Sequence, residues 1–94
     1  MPDSSHAAVG VTIDLVYLAR LREAFGRGIE RVTLAAGSSV GALLEELRAR
    51  GEPWSRELAP GRAFRVAVNH DIAGLDATLG DGDEVALLPP VTGG

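Results

Sequence analysis

One stretch of this chain carries the i, i+3, i+4, i+7 apolar spacing of a helix substantial enough to anchor a core: Val40, Leu43, Leu44 and Leu47. Ser39 precedes it, with a hydroxyl able to cap the free N–H groups of a first turn. Glu46 and Arg50 lie four apart on its outer face, in the favourable order. Gly51 follows, able to take the left-handed conformation that ends helices. Most other apolar residues alternate instead. Val11, Ile13, Leu15 and Tyr17 fall on one face of a strand over 9–17, with Thr12 and Asp14 opposite. Val32 and Leu34 mark the inner face of a strand over 29–34. Phe64, Val66 and Val68 mark a third strand, and 84–88 a last one, with a short return strand over 72–75. Leu18, Leu21, Arg22 and Phe25 add a short helix that stops at Gly26. One main helix cannot cover both faces of a sheet, so the expected class is α+β, a single sheet wrapped on that helix. Ninety-four residues at 46% hydrophobic suffice for one core and no second domain. The polar segment 1–8 reads as a disordered leader and 9–88 as the folded domain. Trp54, in an expected loop over 52–61, reads as a cover for the edge of the core.

The chain has no cysteine, which removes disulfides, thiolate metal sites and a cysteine nucleophile together. Its two histidines, His6 and His70, are far apart, so no metal site is expected on them. All nine basic residues are arginine, so a P-loop, which needs lysine, is excluded. A net charge of −4 without a basic cluster argues against nucleic acid and an anionic membrane, and fits docking on a basic protein surface. No apolar run has transmembrane or signal-peptide character, so the expected location is cytoplasmic.

Three patterns invite a catalytic reading and are better explained structurally. Gly37-Ser38-Ser39-Val40-Gly41 matches the G-x-S-x-G elbow of serine hydrolases. That fold needs far more chain than this, and Ser39 reads as a helix cap. Asp81, Asp83 and Glu84 lack calcium-loop spacing and fit a tight turn beside a strand. His70 stands in Asn69-His70-Asp71, ordinary turn chemistry, with no nucleophile assigned to it.

The C-terminal six residues, Pro89-Pro90-Val91-Thr92-Gly93-Gly94, are of another kind. Two prolines stop a strand from continuing in its sheet and favour extension. Six extended residues reach about 20 Å. Gly93 and Gly94 carry no side chains, so this end can enter a channel too narrow for other residues. The terminal carboxylate is a poor electrophile until ATP converts it to an acyl-adenylate, after which a sulfur nucleophile would leave a thiocarboxylate. No internal thiol competes for the activated carbonyl. Composition by itself fits a plain frayed terminus as well.

The tail, preceded by Leu79-Gly80-Asp81-Gly82-Asp83-Glu84-Val85, resembles the C-terminus of the molybdopterin synthase small subunit family, also called the MoaD sulfur carriers. Tyr17-Leu18-Ala19-Arg20-Leu21-Arg22-Glu23 is similar to that family's passage from first strand to short helix. Ser39-Val40 with Leu43, and Val66-Ala67-Val68-Asn69, match the start of its main helix and its third strand and turn. The resemblance implies a ubiquitin-like β-grasp fold and a sulfur carrier of molybdenum cofactor biosynthesis. It implies that a ubiquitin-activating-like enzyme, consuming ATP, adenylates Gly94 and that sulfur then replaces the adenylate. Residues 89–94 would insert into the molybdopterin synthase large subunit, in an assembly of two small and two large subunits, and give sulfur to a pyranopterin precursor. The small subunit would hold no permanent cofactor and no catalytic residue of its own. Leu87-Leu88 stands where the family often carries aromatics, and one of the two is expected to face a partner. A carrier for thiamine or tRNA thiolation, a protein modifier joined through Gly94, and a binding module with an inert tail are the alternatives.

Overall fold

The computed structural model describes residues 10–89. The expected leader over 1–8 and most of the tail, Pro90 to Gly94, lie outside the described residues. Strands β1 (Gly10–Tyr17) and β2 (Ile29–Ala35) pair antiparallel around helix α1 (Arg20–Phe25). Helix α2 (Val40–Arg48) and the one-turn α3 (Trp54–Glu57) come next, then β3 (Arg65–Val68), β4 (Asp71–Ile72) and β5 (Glu84–Leu88). The sheet runs β2-β1-β5-β3-β4, with β5 parallel to β1 and antiparallel to β3. The last strand therefore lies at the centre of a mixed sheet.

The two sequence periods meet in the core. Ile13, Leu15, Tyr17, Val85 and Leu87 face inward from the central strands, and α2 contributes Val40, Leu43, Leu44 and Leu47, all buried. Removing a side chain such as Leu43 from this layer costs on the order of 2–5 kcal/mol.

The N-terminus of α2 is fully accounted for. Ser39 Oγ accepts from the Ala42 N–H at 3.1 Å. The Val40 and Gly41 N–H groups donate to the Ala77 and Leu75 carbonyls at 2.9 and 2.8 Å. The latter contact explains the return strand expected over 72–75, which pairs only at Asp71–Ile72. Leu75 to Ala77 turn away to satisfy the helix instead. Gly41 lets this backbone come close, since a Cβ there would stand 3.3 Å from the Leu75 carbonyl oxygen. Ser39→Ala should therefore cost about 1 kcal/mol, lowering the melting temperature by roughly 4–8 °C in a calorimetric scan.

Arg50 does not pair with Glu46 as the spacing suggested. Helix α2 ends at Arg48, so Arg50 has left the helical track and grips Glu30 with both guanidinium nitrogens, at 2.8 and 3.0 Å. The Tyr17 hydroxyl donates to the same carboxylate and accepts from Trp54 Nε1 at 3.2 Å. Trp54 stacks on Phe25 with ring centres 5.1 Å apart, and the Arg50 guanidinium lies 4.9 Å over its ring. Trp54 thus closes the core edge as expected, from a helical turn rather than a loop. Leu18, expected in the α1 stripe, precedes the helix and is exposed.

Burial acts to raise the Glu30 carboxyl, but Arg50 and Tyr17 outweigh it and hold it below the usual carboxylate range. Burial, then Glu30, pushes the Tyr17 hydroxyl well up. Between its native and unfolded values Glu30 binds fewer protons in the folded state, so its contribution is complete above the unfolded value of about 4.3 and fades as pH falls through the lower native one. The expected outcome for Arg50→Gln is a loss of several degrees in melting temperature near neutral pH that shrinks in acid. An equal loss at both would show that the ion pair is not its source.

Glu57, 6% exposed, is the buried charge among the described residues. Burial works to raise its carboxyl, but Arg20 at 2.7 Å and Arg62 at 3.2 Å hold it low. This ties α1, α3 and the following loop into one unit.

Candidate functional site

The root of the tail is held from both sides. Leu88 is the ladder partner of Arg65 in β3, while the Leu87 carbonyl accepts from the Leu18 N–H of the β1 end at 3.2 Å. Pro89, half-buried, then ends the ladder because it has no N–H to offer. The start of β5 is fixed equally firmly. Asp83 accepts from the Gly80 N–H at 2.8 Å and from the Asn69 amide at 3.0 Å, in that order the causes of its low carboxyl pKa. Asp81 takes the Thr12 N–H at 2.7 Å. Asp81 and Asp83 are thus turn and strand fasteners, as their sequence context suggested. His70 lies exposed in the β3–β4 turn, 3.5 Å from Glu84, and Ser39 faces the α2 N-terminus, so no hydrolase pair forms.

Of the expected site residues, Leu87 is wholly buried in the core, which corrects its assignment as a docking residue: a side chain on the inner face of a central strand has no partner-facing surface. Leu88, on the opposite face and half-buried, keeps that role open. Pro90, Val91, Thr92, Gly93 and Gly94 lie beyond the described residues. From Pro89, the five residues to Gly94 span at most about 17 Å.

Beside this root lies a feature the sequence reading did not assemble. Residues alternating with the core positions face the other side of the sheet. The ladder partners Ile29, Val16, Ala86, Ala67 and Ile72 form one rung across all five strands. Every member is apolar, and the two ends are open, Ile29 at 67% and Ile72 at 62% exposure. Leu88 stands next along β5 on this face. The neighbouring rung on the other side is charged, with Arg31, Asp14 and Glu84 in register. Between those open ends Val16 and Ala86 are half-buried and Ala67 is buried, so the apolar rung spans the sheet with most of its open surface at the edges, and Leu88 continues it to the point where the tail leaves. Each strand shows only one or two of these residues; the rung exists only once the non-local register is known.

The pattern of a central C-terminal strand running out at Pro89 agrees with family-level similarity. A model of the ThiS family matches residues 15–94. The chain belongs to the ThiS family. It is 38% identical over 82 residues to the molybdopterin synthase sulfur carrier subunit of Escherichia coli, covering 87% of this chain and 99% of that one. A Pyrococcus furiosus protein assigned as molybdopterin converting factor subunit 1 superposes with a TM-score of 0.74 at 30% identity, over 86% of this chain and 99% of its own. The H. volcanii small archaeal modifier protein 1 gives 0.66 at 28% identity, over 86% and 99%. A Helicobacter pylori chain solved in a complex of molybdopterin-converting factor subunits 1 and 2 gives 0.59 at 25% identity, over 89% and 100%. The fold of this ThiS-family chain is the ubiquitin-like β-grasp that the resemblance implied, within the α+β class expected from its element order. Among its described residues no helix is long and apolar enough to cross a membrane.

Proposed function

We propose that this chain is the sulfur carrier of a molybdopterin synthase, with the Gly94 carboxylate as its working group. The observation that carries the reading is near-full-length similarity to a molybdopterin synthase sulfur carrier subunit, which extends through the matched region to Gly94. The carboxylate attacks ATP on an activating enzyme, pyrophosphate leaves, and an acyl-adenylate forms. A sulfur nucleophile then displaces AMP and leaves a thiocarboxylate. The tail carries that sulfur into a large subunit, where a pyranopterin precursor accepts it.

The chain's own residues perform presentation. Pro89 and Pro90 end the ladder, and Gly93 and Gly94 fit a narrow channel. The apolar rung, with Ile29, Ile72 and half-buried Leu88 open at its ends, supplies the docking face, since exposed apolar surface rimmed by charge is characteristic of protein interfaces. A large-subunit partner is supported by the pairing of subunits 1 and 2 in the H. pylori complex. A cytoplasmic location and an assembly of two small and two large subunits belong to this proposal. ATP enters this proposal as the activating enzyme's substrate.

Likeness to a small archaeal modifier protein favours one competing reading, conjugation through Gly94 to other proteins. The two separate on addition of the thiocarboxylated chain to a cognate large subunit and the pyranopterin precursor. The carrier yields dithiolene product at two chains consumed per product. A modifier yields none and appears in cell extract as high-mass conjugates.

A further inference from the structure

The open face of the sheet is polarised along its strands. On the side of the apolar rung away from the tail, Arg31, Asp14 and Glu84 stand in register. Arg31 Nε donates to Asp14 at 3.2 Å, and Glu84 lies 3.5 Å from the His70 imidazole, which offsets it only when protonated. That border carries two carboxylates against one guanidinium.

On the tail side of the rung the same parity gives Leu18, Leu88 and Arg65. The ladder of β1 and β5 runs one residue past Tyr17, through the Leu18 N–H to the Leu87 carbonyl at 3.2 Å, so Leu18 is set opposite Leu88. Arg65 faces Leu88 from β3, while Val66 after it turns into the core. Leu18 and Arg65 are exposed and Leu88 is half-buried. Arg65 enters none of the ion pairs among the described residues. Glu84 and Leu88, the two ends of β5, hold the two borders about 13 Å apart.

A partner that covers the rung must therefore leave Arg65 in water at its rim or meet it with an anion. The position of Arg65 favours the second. It adjoins Leu88, the last residue before Pro89, so a channel that receives the tail opens directly beside it. A single guanidinium between apolar neighbours suits a single carboxylate, which it meets with two parallel hydrogen bonds. A polyanion needs several cations and would also face the carboxylates of the far border.

We propose that Arg65 selects and orients the partner, by pairing with a carboxylate at the mouth of the channel that receives the tail. The inference rests on the proposed function, from which it takes the large subunit as that partner. Charge at the rim of an interface acts mainly on the encounter, steering correct approach and rejecting wrong ones. A large subunit turned end for end on this face would bring its carboxylate against Asp14 and Glu84. Arg65 thus fixes the tail end of the face to the channel mouth.

The test follows association of the full chain with its cognate large subunit by stopped flow, at about 0.02 M and about 0.5 M salt. Arg65→Glu should slow association about tenfold at the lower salt and under about twofold at the higher. Arg65→Lys keeps the charge and should stay within about twofold of the original rate at both. The melting temperature of Arg65→Glu should stay within about 2 °C, as for other surface changes. An unchanged association rate would overturn the proposal. So would a loss equal at both salts, which is how a merely structural role would act. A shift in the sedimentation of the isolated chain on Arg65→Glu would also overturn it, assigning the residue to a contact between copies. Failure of the unaltered chain to bind the large subunit would instead contradict the proposed function, and this proposal with it.

Discussion

Deleting Gly94 should abolish sulfur loading while leaving the fold intact. The core elements end at Leu88, and the buried residues of β5 are Val85 and Leu87. Six residues therefore separate the last buried side chain from the end of the deleted chain, so the melting temperature should stay within about 1–2 °C, the scatter expected of a surface change. Loading should fall by at least a thousandfold, because the new terminus is one residue short in a channel that requires the end to meet the reacting atoms. A misplacement of only 1 Å can cost a hundredfold in rate, and one extended residue is over three times that. The check pairs a thermal melt with quantified thiocarboxylate formation for the two chains. Loading that survives the deletion would place the working group elsewhere.

The second large effect is expected on the open face of the sheet. Ala86 lies at the middle of the apolar rung, between Val16 on β1 and Ala67 on β3. Ala86→Arg should weaken binding to the large subunit by at least a hundredfold, about 2.7 kcal/mol. An arginine at the centre of a dry interface must either lose its water unpaired or hold the partners apart. In the free chain its stem can lie along the rung with the head in water, so stability should change by less than about 1 kcal/mol. Titration calorimetry against the large subunit measures the first quantity and a denaturant melt the second. Undiminished binding would move the docking surface off this face.

The parts of this fold visible in the sequence are those governed by local periodicity. The α2 stripe and its Ser39 cap, the inward alternation along β1 and the bounds of β5 all follow from contacts a few residues apart. What could not be read depends on pairing at long range. Arg50 was matched to Glu46 on helical spacing, but helix α2 stops two residues earlier and Glu30, on β2, is the better-placed carboxylate. Leu87 and Leu88 are equivalent by composition. Only the parity of β5 against β1 sends the first to the core and the second to the open face. The segment after Ile72 has strand-like composition, yet its carbonyls are taken by the α2 N-terminus.

The candidate site divides in the same way. The tail declares itself in sequence because its chemistry is contiguous: two prolines, then two glycines and a carboxylate. The apolar rung does not, because its five residues come from five strands between positions 16 and 86. The G-x-S-x-G match shows the converse hazard. Ser39 is committed to the Ala42 N–H, and Gly41 is required for the close approach of the Leu75 carbonyl, so each motif position has a structural cause.

The central claim is best tested by the intact mass of the chain after incubation with ATP, an activating enzyme that acts on carriers of this family and a sulfur source. The account predicts a gain equal to one sulfur replacing one oxygen, located by fragmentation at Gly94. An unchanged mass, with a known carrier converted in the same reaction, would contradict it.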